Sequence, residues 1–212
     1  MYRAAGTIAA MSPPGSDARW VVPVVLEGQL VRLEPLSLAH LDDLAAVGLG
    51  PAIWHFTIAR PMDRDGLRAW LSGVLAAAAS GGELPFATID LASGRAVGST
   101  RFMAIAPEHR RLEVGWTWLA PAWQRRGLNR EAKLLQLEHA FERLGAIRVE
   151  FKTDATNERA RAALEGIGAR FEGIFRNHMV MPDGRLRHSA WYSVIADEWP
   201  DVKVALVGAL RR

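Results

Sequence analysis

Gln124-Arg125-Arg126-Gly127-Leu128-Asn129-Arg130 places one glycine and three arginines in a short loop. The loop lies between a strand-like stretch, residues 112–119, and a long helical pattern that begins near Gly127. That arrangement suits a phosphorylated ligand. The N–H groups of a helix's first turn have no partner within the helix, and the helix dipole places partial positive charge there. Gly127 lets the backbone approach a phosphate, while Arg125, Arg126 and Arg130 supply charge-assisted donors.

The flanking elements follow from periodicity. Residues 29–36 alternate as a strand, and Ser37 caps a helix running to about Val47. Residues 51–62 read as irregular and hold Trp54-His55-Phe56. A second helix starts at Asp63 and runs to about Ala79, closed by Gly81-Gly82. Residues 84–90 and 95–105 read as strands around the turn Ala92-Ser93-Gly94. The helix from about Gly127 to Leu144 carries Leu134, Leu137, Phe141 and Leu144 on one face, and the strand Ile147–Lys152 follows. Asn157 caps a helix with Ala160, Ala163, Leu164 and Ile167 as its buried stripe. Residues 170–181 and 185–195 should form a hairpin around Pro182-Asp183-Gly184, and a last helix spans 197–210. Strands and helices mix, with hairpins early and late and a β-α-β unit at the centre. The fold class is α/β: a mixed, mostly antiparallel sheet with helices on both faces.

Composition bounds the function. The chain has 212 residues, half of them hydrophobic and 23% charged, the balance of a soluble globular protein. It has no cysteine, which removes disulfides, thiolate nucleophiles and cysteine metal sites and fits a cytoplasmic location. The histidines are scattered without metal-ligand spacing, so no metal is expected. No apolar run is long enough to span a membrane. A net charge of +3 fits an anionic ligand, and no motif supports nucleic-acid binding. Residues 1–22, rich in Ala, Gly, Ser and Pro, read as a leader, with one domain over 23–212.

Glu113-Val114-Gly115-Trp116, the loop 124–129, and Asn157-Glu158-Arg159-Ala160 with Ala163-Leu164 and Gly168 together resemble the GCN5-related N-acetyltransferase (GNAT) superfamily. Within it, the chain looks like the ribosomal-protein N-terminal acetyltransferase (RimJ/RimL) branch. Asn129 departs from the pattern, where the family usually has Gly or Ala. The resemblance implies acetyl-CoA as co-substrate, its pyrophosphate held by Gln124, Arg125, Arg126, Gly127, Leu128, Asn129 and Arg130. It implies a splayed sheet in which Trp116-Thr117-Trp118 offers backbone groups to the pantetheine arm, with Asn157 as a further contact. Each has a plainer alternative: a solvated basic turn, core packing for the tryptophans, and a helix cap for Asn157.

Acetyl transfer requires a neutral amine, a donor for the oxyanion and, optionally, a proton for the thiolate. Glu113 is the candidate base, with a purely structural carboxylate as the alternative. The acid has no clear candidate. The family's tyrosine is missing after the Asn-capped turn, and Ala160 stands where the ribosomal branch often has Ser. Tyr192 and His178, in the final hairpin, are the remaining proton donors. Trp54, His55 and Phe56 lie where the family builds its acceptor pocket. The expected function is acetyl transfer to a primary amine, either a protein N-terminus or a small molecule. The alternative is a catalytically silent acyl-CoA sensor. Family habit admits a homodimer.

Overall fold

The computed structural model describes residues 19–211. Its centre is an eight-stranded sheet: β1 (Leu26–Glu27), β2 (Val31–Pro35), β3 (Leu84–Asp90), β4 (Arg95–Ala106), β5 (Arg111–Leu119), β6 (Arg148–Asp154), β7 (Arg170–Val180) and β8 (Leu186–Ile195). The spatial order is β1-β2-β3-β4-β5-β6-β8-β7. Every neighbouring pair is antiparallel except β5 and β6.

The helices are α1 (Leu41–Gly48), α2 (Pro51–Trp54), α3 (Arg64–Ala79), α4 (Leu128–Glu138), α5 (Glu158–Gly166) and α6 (Trp199–Leu210). They divide between the two faces. Leu41, Leu44, Trp54, Leu67, Leu71 and Val74 of α1, α2 and α3 pack with Ala87, Ile89, Ala96 and Trp118 of the sheet. Leu128, Ala132 and Leu137 of α4 and Trp199, Val202 and Leu206 of α6 pack with Phe86, Phe102, Leu112, Val149 and Tyr192. The expected mixed sheet with helices on both faces is the observed architecture.

Four details differ from the sequence reading. Within 51–62, Pro51–Trp54 forms one helical turn, with Pro51 at its first position, where a missing N–H is tolerated. The expected leader lies mostly outside the described residues, but Trp20 and Val21 pack on the core, and Trp20 Nε1 donates to the Leu144 carbonyl. The long helix changes to π-helix over His139–Arg143. Its buried face also holds Glu131, Lys133 and Gln136, while Leu134 and Leu144 are only partly buried. In α5, Ala163 is exposed, and of the expected stripe only Ile167 is fully buried.

Candidate active site

The site begins where β5 and β6 part. They pair only at Arg111–Arg148, Leu112–Val149 and Glu113–Glu150. β6 continues to Asp154 on β8, while β5 continues to Leu119 on β4. The two strands therefore diverge after Glu113, leaving the β6-facing main-chain edge of residues 114–119 outside the ladder. On its other edge β5 carries an extra residue. Arg101 pairs with Gly115 and Ser99 with Trp118, so two steps on β4 face three on β5. The bulge puts Trp116 at φ +49°, a strained angle for a bulky side chain.

The basic loop follows. Arg125 (φ +60°) and Gly127 (φ +86°) are both left-handed, and Gly127 caps α4. The first bond of the helix runs from Glu131 N to the Gly127 carbonyl, so the preceding N–H groups are free for a ligand. Successive N–H groups around left-handed residues form an anion-binding concavity, and here it coincides with a helix N-terminus. A Cβ at residue 127 would lie 3.0 Å from Leu30 Cδ1, so the glycine serves both conformation and space.

The other loop residues divide by role. Arg125 and Arg126 are exposed, and Leu128 is core. Gln124 Nε2 donates to the Leu119 carbonyl, and its Oε1 accepts from Arg159, so it braces the loop between β5 and α5. Arg130 Nη1 donates to the Ala209 carbonyl at the end of α6. Asn129 Oδ1 is buried without a partner among the described residues. Asn157 is a helix cap, its Oδ1 accepting from Ala160 N. Trp118 packs 5.4 Å from Trp54 in the core, while Thr117 is exposed. These residues fit a coenzyme diphosphate at the loop and a pantetheine arm along β5.

Glu113 lies at the base of the divergence, 1% exposed, accepting 2.8 Å from Lys152 Nζ. Burial raises its carboxyl above the ordinary Glu range, and Lys152 opposes the shift. His178 Nδ1 bonds Ser189 Oγ, which also accepts from Arg187 Nε, and Arg187 Nη1 donates to the Phe56 carbonyl. Burial, with Lys152 and Arg187 nearby, holds the His178 imidazole low. The final hairpin is thereby tied to the 54–56 stretch. Within that stretch Trp54 is buried, bonding the Gly48 carbonyl through Nε1, while His55 is exposed and Phe56 half-buried.

Tyr192 is elsewhere. It pairs in register with Phe151 and is fully buried in the core on the α4 face. Its hydroxyl donates to Glu165 and accepts from Arg161. Three residues outside the sequence candidates also shape the site. Glu131 accepts from the N–H groups of Gln29, Leu30 and Val31. Lys133 is buried beneath Thr117, and Arg101 beneath Trp116. Polar residues on a helix or strand look solvent-facing in a periodicity reading, so nothing in the sequence marked these three as buried.

A diverging parallel pair beside a glycine-capped helix N-terminus is the arrangement that the resemblance to acetyltransferases implied. The acetyltransferase (GNAT) domain model matches residues 31–170. A GCN5-related N-acetyltransferase from Brucella melitensis is 37% identical over 90% of this chain and 87% of its own, with a TM-score of 0.84. A presumed acetyltransferase from T. thermophilus is 40% identical over 90% of this chain and 99% of its own, with a TM-score of 0.83. Mycobacterium smegmatis RimJ, solved with CoA-disulfide, shares the fold at 24% identity, covering 88% of this chain and 95% of its own, with a TM-score of 0.74. The chain belongs to the GNAT acetyltransferases, whose reaction draws an acetyl group from acetyl-CoA.

Proposed function

We propose that the chain transfers acetyl from acetyl-CoA to a primary amine by direct attack within a ternary complex. The observation that carries this reading is the buried carboxylate of Glu113 at the point where β5 leaves β6. It lies at the closed end of the cleft whose open end carries the glycine-capped loop.

In this reading the Arg125–Asn129 backbone holds the diphosphate, with Arg125 and Arg126 adding charge. The thioester supplies an activated acyl carbon. Glu113 accepts a proton from the acceptor's ammonium, directly or through a water, to expose its lone pair. The main-chain N–H groups of the 116–118 bulge donate to the developing oxyanion. The thiolate is a good enough leaving group to go without a dedicated acid, consistent with Ala160 at the helix start and with the committed hydroxyl of Tyr192. His178, linked to Ser189 and Arg187, and Phe56 belong to the acceptor side.

The test is release of free thiol from acetyl-CoA in the presence of primary amines and short peptides. Turnover with any of them supports transfer. Tight acetyl-CoA binding with no turnover across the screen would overturn it in favour of an acyl-CoA sensor.

A further inference from the structure

Arg101 has no role in that account, yet it is 3% exposed and sits directly across from Gly115, where the bulge starts. Nη1 donates to Glu83 Oε2 at 2.5 Å, whereas Nε and Nη2 are buried with no partner among the described residues. The guanidinium lies 4.9 Å from the Trp116 ring centroid and 5.7 Å from that of Trp70. Buried charged donors are almost always bonded, so an empty edge on a buried arginine calls for an acceptor.

The surroundings repeat the pattern. Ser99, two residues before Arg101 on the same face of β4, has a buried Oγ without a partner. Its register partner Trp118 has a buried Nε1 in the same condition. Four unpartnered polar atoms thus lie on one face of the β4–β5 pair, and three are nitrogens that can only donate. Glu113 is on this face too. It pairs with Met103, two residues along β4 from Arg101, and a Cβ on Gly115 would lie 2.8 Å from Met103 Sδ and 2.9 Å from Glu113 Oε1.

We propose that the Nε–Nη2 edge of Arg101 binds a carboxylate of the acceptor, which makes the acceptor a small amino-acid-type molecule rather than a polypeptide N-terminus. The edge presents two parallel N–H bonds, the geometry that a carboxylate matches. Arg101 pairs with Gly115, two residues from Glu113 on the same face of β5, so a molecule with amine and carboxylate a few atoms apart suits the pair. A polypeptide's terminal carboxylate is remote from its N-terminus and leaves the edge empty. Trp70 and Trp116 flank the guanidinium and are each only partly buried, so the site lies near the surface. The proposal rests on the acetyltransferase reading and narrows its substrate.

The experiment uses the full chain with CoA present and follows tryptophan fluorescence, because Trp70 and Trp116 flank the site. A panel of free L-amino acids is titrated, each beside its carboxamide. At least one acid should perturb the fluorescence with an affinity about tenfold or more above its amide. With acetyl-CoA the same acids should be acetylated with the same preference. Arg101→Lys, which keeps the charge but loses the planar edge, should erase the preference through KM with kcat nearly held, leaving acetyl-CoA affinity unchanged by calorimetry. Glu83→Gln, which leaves the edge intact, should retain the preference and stands in if Arg101→Lys fails to fold. Equal response to acids and amides, no response at all, or better acetylation of peptides would overturn the proposal. If no amine turns over but the fluorescence still selects acids, acetyl transfer fails and the carboxylate site stands.

Discussion

Lys133 Nζ donates a 2.7 Å hydrogen bond to Thr117 Oγ1, joining the interior of α4 to the strand that leaves β6. The ammonium also donates to Thr100 Oγ1 at 3.0 Å and to Gln136 Oε1 at 2.9 Å, which uses its three protons. None of these partners is a carboxylate. Burial alone pushes the amine down to about 7. A titratable group therefore sits directly behind the proposed pantetheine segment.

The first prediction is a pH dependence of stability. Below about pH 7 Lys133 is protonated in both folded and unfolded chains, and the fold carries the full penalty of a buried charge. From there to the unfolded lysine's value of about 10.4, the unfolded chain holds a proton that the folded one has lost, so stability rises with pH, by at most about 1.4 kcal/mol per unit. Lys133→Met should lack this rise. Denaturant titrations of both proteins between pH 6 and 10 measure it; parallel profiles would show that the amine does not titrate in this range.

Glu113→Gln should lower turnover roughly a hundredfold or more while sparing acetyl-CoA affinity, because it removes the proton acceptor without changing shape. The rate of the unaltered protein should climb with pH as Glu113 ionises, above the ordinary Glu range because burial raises its pKa. Lys152→Met removes the opposing cation and should move that climb to still higher pH. Full activity in Glu113→Gln retires it as the base.

Gly127→Val should weaken acetyl-CoA binding by roughly tenfold or more. A β-branched residue is strained by about 1–2 kcal/mol in the left-handed region, and its Cβ meets Leu30. Calorimetry with acetyl-CoA checks it. Unchanged affinity in a folded variant places the diphosphate elsewhere.

Glu131→Ala should destabilise the fold by about 3 kcal/mol or more, since it strips the shared acceptor from the N–H groups of Gln29, Leu30 and Val31. Gly28→Ala should do likewise, because its Cβ would lie 2.4 Å from Glu131 Cδ. Thermal melts read both. Leu30 also meets the space at Gly127, so partial loss of acetyl-CoA binding should accompany the destabilisation.

What the sequence determined by itself was the series of elements and the place of the glycine loop between strand and helix. Alternation in 29–36 and 147–152, the caps Asp63 and Asn157, and the Pro182-Asp183-Gly184 turn are local signals, and local hydrogen bonding and burial enforce them. Gly127 was legible because one glycine between a strand and a helix has few other uses. The tertiary structure decided what each polar side chain is for. Tyr192 and His178 sit on the same hairpin, yet strand pairing turns Tyr192 into the core beside α5 and His178 toward Ser189 and Trp191. The burial of Arg101 and Lys133 arises only where α3 and α4 close over the sheet. Burial depends on partners distant in the chain, and no periodicity within one segment records what will cover it.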